Sequence, residues 1–261
     1  MRSERPPVVL AALATVGVAF FLLPLVGLLY RAPWQTALSD LTAPEALTAL
    51  RLSFVVSLAA TAVALLLGVP LAWIYARVPF RGRDLVRALT TLPMILPPVV
   101  GGVALLFAFG RRGVFGQVLD TMFGIRLPFT TAGAILAATF VAMPFLVLTV
   151  EAGLRSMDRR YEDAARTLGA GRWVVFRRVT LPLIAPSVFA GAVLCWARAL
   201  GEFGATITFA GNLPGTTQTL PLAVYIALET RPEVAIMLSL VLLAVSLAIL
   251  VAMRDRYLRT F

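Results

Sequence analysis

Six apolar stretches dominate this chain, at about 8–30, 49–76, 88–110, 131–154, 183–210 and 233–253. A helix rises 1.5 Å per residue, so ~20 apolar residues cover the roughly 30 Å of bilayer hydrocarbon, and each stretch reaches that length. Lipid offers no partner to free backbone groups, which leaves helices or closed barrels as spanning structures. None of the six shows the alternation of barrel strands, so the expected fold class is all-α integral membrane, with six transmembrane helices. The first stretch follows Arg2 and Arg5, and Ala12-Leu13-Ala14 resembles a leader cleavage site. That triplet comes too early in an apolar run that continues to Tyr30, so a retained span is expected.

Composition narrows the function. Sixty per cent of the 261 residues are apolar and 14% charged, against about one-quarter charged in a soluble domain. All 23 basic residues are Arg. Without Lys the chain has no G-x-x-x-x-G-K-[ST] loop and supplies no P-loop ATPase of its own. Without His, and with Cys195 as the single cysteine, His/Cys metal sites and Ser–His or Cys–His nucleophile pairs are excluded. No P-loop nucleotide site, His/Cys metal site or His-activated nucleophile is therefore expected. Cys195, inside an apolar run, reads as a small packing residue.

The net charge of +10 has a membrane explanation and does not call for nucleic acid. With the N-terminus in the cytoplasm, the inside segments carry Arg2, Arg5, Arg77, Arg81, Arg83 and Arg87. They also carry Arg155, Arg159, Arg160, Arg166, Arg172, Arg177, Arg178, Arg254, Arg256 and Arg259. The outside segments carry Arg31, Arg51, Arg111, Arg112, Arg126 and Arg231, with Arg198 left within a span. Sixteen arginines against six place both termini in the cytoplasm by the positive-inside rule. No repeat or low-complexity tract interrupts 1–261, which reads as a single transmembrane domain.

Three places depart from plain apolar helix. The cytoplasmic connection 155–182 predicts a short polar helix over 161–168 with Glu162, Asp163 and Arg166 exposed beside Ala164 and Ala165. Gly169 and Gly171 break it, a second short helix follows over 173–179, and Leu181, Pro182 and Pro186 announce the next span. A helix–Gly–helix element at the membrane surface suits either a docking feature or an interfacial amphipathic loop. The third span opens on Pro93, Pro97 and Pro98, followed by Gly101 and Gly102, which suits a pathway-lining segment or a bent, closely packed helix. The fifth span carries Arg198 and Glu202 on one helical face, with Arg198 roughly 22 Å along the helix from residue 183. The pair reads as an anion pathway or gate, or as an intrahelical ion pair. Beyond it, the turn 211–215 leads to Thr216, Thr217, Gln218 and Thr219, placed to touch a delivery partner or to cap the next element.

These residues resemble the permease subunits of ABC importers for oxyanions: the molybdate branch, with relatives for sulfate and tungstate. Importer permeases share Glu-Ala-Ala, three residues, Gly, nine residues, then Ile-x-Leu-Pro. Here Asp163-Ala164-Ala165, Gly169, Val179 and Leu181-Pro182 keep every spacing, with Asp for Glu and Val for Ile, and Glu162 sits beside the acidic position. The stretches 92–102, 110–116 and 197–206 resemble the oxyanion branch, and Gly204-Ala205-Thr206 with Thr217-Gln218-Thr219 is more like molybdate than sulfate permeases.

The resemblance implies the six-helix type I importer fold in a bacterial or archaeal cytoplasmic membrane. It implies a homodimer of this chain, two cytoplasmic ATPase subunits that hold the ATP and Mg, and an extracytoplasmic oxyanion-binding protein. It makes Glu162, Asp163, Ala164, Ala165, Gly169, Val179, Leu181 and Pro182 the ATPase-coupling residues. Pro97, Pro98, Arg198, Glu202 and Thr206 become candidates for the translocation pathway or gate. An intramembrane enzyme would show several titratable groups at one depth, and a scaffold would not need the loop spacing.

Overall fold

The computed structural model of the protein describes residues 7–257, with side chains described through residue 251. Arg2, Arg5 and Arg259 of the inside set lie outside the described residues, and Arg254 and Arg256 are described as helix backbone only. The described chain is helical throughout: α1 (Val8–Tyr30), α2 (Ala37–Thr42), α3 (Pro44–Arg77), α4 (Arg83–Thr91), α5 (Pro98–Phe109), α6 (Gly116–Phe123) and α7 (Thr131–Ser156). After these come α8 (Arg160–Thr167), α9 (Arg172–Val175), α10 (Leu181–Leu200), α11 (Gly204–Phe209), α12 (Leu220–Thr230) and α13 (Pro232–Tyr257).

Among the described residues five helical runs are long and apolar enough to span: Val8–Tyr30, Pro44–Arg77, Thr131–Ser156, Arg172–Leu200 and Pro232–Val251. The sixth expected span, 88–110, is broken. α4 continues into a tight turn at Leu92–Met94, and α5 leaves at 117° to it. Pro93, Pro97 and Pro98 explain the break, since each removes a backbone donor and the residue before a proline is pushed out of the helical region. Pro97, in an extended conformation (ψ 130°), starts α5.

The expected fifth span, 183–210, is corrected at both ends. It begins earlier, because α9 runs through a wide π-type turn at Phe176–Thr180 directly into α10. That turn opens just ahead of Pro182, whose missing N–H leaves the carbonyl of Arg178 without its usual partner. It also ends earlier, at Leu200, and residues 204–209 form the separate helix α11. Apolar length alone predicts no span at α12, an eleven-residue apolar element packed beside α13.

The core is a three-helix seam of α3, α7 and α10. Its buried residues are largely small: Ala60, Ala64, Ala72, Ala134, Ala138 and Ala142 with Cys195. Lipid tails are as apolar as a leucine, so close packing rather than water exclusion holds such helices together. Gly68 shows how close: a Cβ there would stand 2.7 Å from Leu146 Cδ2. One cross-link between spans is polar, Trp196 Nε1 donating to Ser57 Oγ at 3.0 Å. α5 and α11 form a second, smaller cluster against α7 through Leu105, Val141 and Phe209. α1 buries none of its residues within this chain.

Candidate coupling and translocation sites

The two ends of the bundle differ in character. At one end gather Arg77, Arg87, Glu151, Arg155 and Arg159 with α8 and α9. At the other, Thr131 Oγ1 donates to Thr216 O at 2.8 Å, and the Leu220 amide donates to Ser53 Oγ at 2.6 Å. The segments expected on one side of the membrane therefore lie together in each case.

The loop after α7 is the more built of the two ends. Asp158 Oδ1 accepts from the Arg160 amide at 2.9 Å and starts α8, and Gly169 ends it with φ +84°. Along α8 the exposed face carries Asp163, paired with Arg166 at 2.9 Å, and Ala164; Ala165 is half-buried. Trp173 stacks on Phe176 at 5.7 Å, and Phe176 meets Trp73 of α3 edge-on at 6.2 Å. Val179 and Leu181 are half-buried and Pro182 is exposed. A cleft of about 520 Å³ lies beneath, lined by Trp73, Arg77, Arg159, Asp163, Arg172 and Phe176.

Glu162 corrects an expectation. It is not exposed beside Asp163 but only 3% accessible, turned inward onto Arg77 Nε at 3.2 Å. Its other oxygen accepts a hydrogen bond from Thr180 Oγ1 at 2.7 Å. On a helix, neighbouring residues point about 100° apart, so Asp163 faces out while Glu162 faces in.

The pathway candidates divide. Arg198 is in the last turn of α10, and Glu202 lies beyond the helix end, between α10 and α11, so the two do not share one helix. They are nonetheless paired, Arg198 Nη1 to Glu202 Oε2 at 2.7 Å, with Glu202 buried. Glu202 Oε1 also accepts from the Ala205 amide at 2.8 Å. The carboxylate thus closes the start of α11 and holds Arg198 beside it. Thr206 is buried in α11.

Pro98 meets that same helix: a Cβ on Gly204 would stand 2.8 Å from Pro98 Cβ. Gly102 is as tight, its Cβ position 2.6 Å from Thr208 Cβ and 2.9 Å from Ala205 O. The two interrupted spans therefore cross through glycine on each side, at their breaks. The sequence marks Gly102 as a bending or packing position and Gly204 only through the family resemblance, while Thr208 carries no signal of its own. Thr217 and Thr219 fold inward: Thr217 Oγ1 accepts from the Leu213 amide at 2.8 Å, and Thr219 is buried at the start of α12. Among the described residues no group of three His, Cys, Asp or Glu side chains is placed to hold a metal ion.

A bundle of spans with two of them interrupted, and with a structured loop at one end, has the architecture of a multi-pass membrane permease, a transport subunit and not an enzyme. The chain belongs to the family described as "Binding-protein-dependent transport system inner membrane component", whose model matches residues 64–260, and it sits in the cytoplasmic membrane. It is 45% identical over 243 residues to the molybdenum transport system permease protein ModB of Mycobacterium tuberculosis, covering 93% of this chain and 92% of the relative. It is 37% identical over 233 residues to the sulfate transport system permease protein CysT of Salmonella typhimurium, covering 88% and 84%.

Among solved structures, a bacterial ABC transporter involved in the import of the polysaccharide alginate matches with TM-score 0.73 at 20% identity, over 95% of each chain. A bacterial alginate ABC transporter in complex with its oligosaccharide-bound periplasmic protein matches with TM-score 0.71 at 19% identity, over 93% and 91%. At these identities the likeness concerns the fold, that of type I ABC importer permeases.

Proposed function

We propose that this chain is the membrane-spanning subunit of an ATP-driven oxyanion importer, with molybdate as its cargo. Its 161–182 loop docks a separate cytoplasmic ATPase. The observation that supports the docking most directly is the outward face of α8, where Ala164 and Asp163 stand exposed at the arginine-rich end of the bundle. Small exposed side chains admit close approach of a partner. The arginine bias puts this end, and with it both termini, in the cytoplasm. Greater identity to the molybdenum permease than to the sulfate permease supports the cargo.

The working assembly is two copies of this chain, two ATPase subunits holding ATP and Mg, and an extracytoplasmic oxyanion-binding protein. Closure of the ATPases pulls on the loop and shifts the pathway between inward- and outward-facing states, the populations following whichever state each partner binds better. This chain itself binds no cofactor.

The test is ATP hydrolysis by the complex in proteoliposomes. Binding protein loaded with molybdate or tungstate should stimulate it. Stimulation by sulfate-loaded protein alone transfers the chain to sulfate transport. Ala164→Trp should abolish co-purification of the ATPase; retention of both the ATPase and uptake by this variant would remove the docking role.

A further inference from the structure

We propose that the buried cluster of Arg77, Glu162 and Thr180 is the joint through which movement of α8 reaches α3 and α10 together, and that Glu162 is a positioning residue for coupling. The inference rests on the docking role proposed for α8.

Three elements meet at one carboxylate. Arg77 ends α3, and its side chain is 7% accessible. Thr180, 1% accessible, is the last residue of the wide turn before α10. Glu162 comes from the first turn of α8 and binds both, one with each oxygen. A second strand of the attachment lies alongside, Arg159 Nη2 donating to Ala76 O at 3.2 Å. The opposite face of α8, with Asp163 and Ala164, is free for a partner.

α8 is only eight residues long, and without this inner attachment it would be joined to the bundle through the turns at its two ends and Arg159. With it, a displacement imposed on α8 loads two long helices at once. α3 and α10 are two of the three helices of the core seam. α10 leads to the Arg198–Glu202 pair and to α11, where the second interrupted span crosses the first.

The chemistry fits a positional role better than a stabilising one. A buried ion pair is a poor source of stability, since an apolar pair of similar volume holds as well or better. Here the pair is also incompletely matched: Arg77 Nε and Nη2, though buried, have no hydrogen-bond partner among the described residues, so Arg77 holds Glu162 by charge at 3.2 Å. What the cluster does supply is position: the 2.7 Å hydrogen bond directs one oxygen of the carboxylate at Thr180, and the ion pair holds the other beside Arg77, so α8 is set against both helices.

The experiment uses the complete importer in proteoliposomes, with three readouts: ATPase that co-purifies, ATP hydrolysed, and molybdate imported. Thr180→Val keeps the side-chain volume and removes only the hydroxyl. It is expected to retain the ATPase and ATP hydrolysis, while molybdate imported per ATP falls about tenfold, the scale of losing one hydrogen bond to a charged group. Arg77→Gln should uncouple further, and the exchange Arg77→Glu with Glu162→Arg should recover part of that loss. A wild-type ratio of import to hydrolysis in Thr180→Val overturns the proposal. Loss of the ATPase from that variant overturns it too, since the cluster would then shape the dock and transmit nothing. If the unaltered chain itself retains no ATPase, it is the docking role that fails.

Discussion

Arg87, on the helix that opens the broken third span, places its Nε 3.0 Å from Oε2 of Glu151 near the end of α7. Glu151 is 1% accessible, and its other oxygen is held by Arg155 Nη2 at 2.7 Å. Both arginines are more than a third exposed while the carboxylate is not. That asymmetry sets the outcome of mutation. Glu151→Gln frees two arginines that can turn to water and should cost about 1 kcal/mol. Arg87→Ala combined with Arg155→Ala leaves a buried carboxylate without a counter-charge and should cost about 3–5 kcal/mol. Thermal unfolding in detergent micelles measures both. Equal losses would show that Glu151 is solvated in the membrane-bound protein.

The crossing of α5 and α11 makes a sharper steric prediction. Gly102→Ala drives a methyl group against Thr208 Cβ and Ala205 O, one of them backbone that cannot rotate away. The cost should be about 1–3 kcal/mol of overpacking, with loss of uptake. At the adjacent Gly101 the first obstacle is Phe140 Cε1 at 3.3 Å, the edge of a ring that can shift by a few tenths of an ångström. Gly101→Ala should therefore keep both stability and transport. Assays of uptake beside an unfolding midpoint compare the two, and similar behaviour of both variants would mean that the crossing is open in the working cycle.

These contacts mark the boundary of what the sequence shows. Span number and the two groups of loops are legible, and a bend at Pro93, Pro97 and Pro98 is one of two readings there, because apolar length, arginine placement and missing donors are local properties. The 117° bend between α4 and α5 is not, since it depends on what α5 packs against. The end of α10 at Leu200 was hidden because Gly204, Ala205 and Phe209 continue the apolar run across the break. α12 leaves no such mark, because eleven residues fall short of a span. The inward turn of Glu162 is illegible for a different reason. Its partner Arg77 is far away in the chain, and no periodicity within 161–168 records a charge waiting at the end of another helix.

Gly169 separates conformation from space. A Cβ there meets nothing within 4 Å, yet the backbone sits at φ +84°, where an L-residue is strained. Gly169→Val should cost roughly 1–2 kcal/mol and lower the yield of complex carrying the ATPase. Gly169→Asn should cost less, because asparagine enters the left-handed region more readily. Gly171, also open but with an ordinary φ of −67°, should accept alanine unchanged. Co-purification of the ATPase with the three variants orders them. If valine and asparagine behaved alike, the turn after α8 would rearrange on docking.

Strong acid should loosen the opposite end of the molecule where Asp120 holds it. Arg126 Nε donates to Asp120 Oδ1 at 2.9 Å, and Arg111 Nε lies 3.4 Å from Oδ2. The hydrogen bond from Arg126, with the charges of both arginines, holds the Asp120 carboxyl below its usual 3.8, against a smaller opposing effect of burial. A carboxylate whose pKa is lowered by folding contributes stability that is fully present above the unfolded value. The contribution is lost as pH falls through the lower, folded value. The segment between Arg111 and Arg126 should thus be tied at pH 6 and released at the acid end of the range, below 3.8. Hydrogen exchange over 111–126, corrected for the intrinsic pH dependence, reads this directly. In Asp120→Asn the protection should already be reduced at pH 6 and should change little on acidification. Protection in the parent chain that is equal at both pH values would place the hold on this loop elsewhere, in the backbone bonds from Val114 and Phe115 to the end of α5.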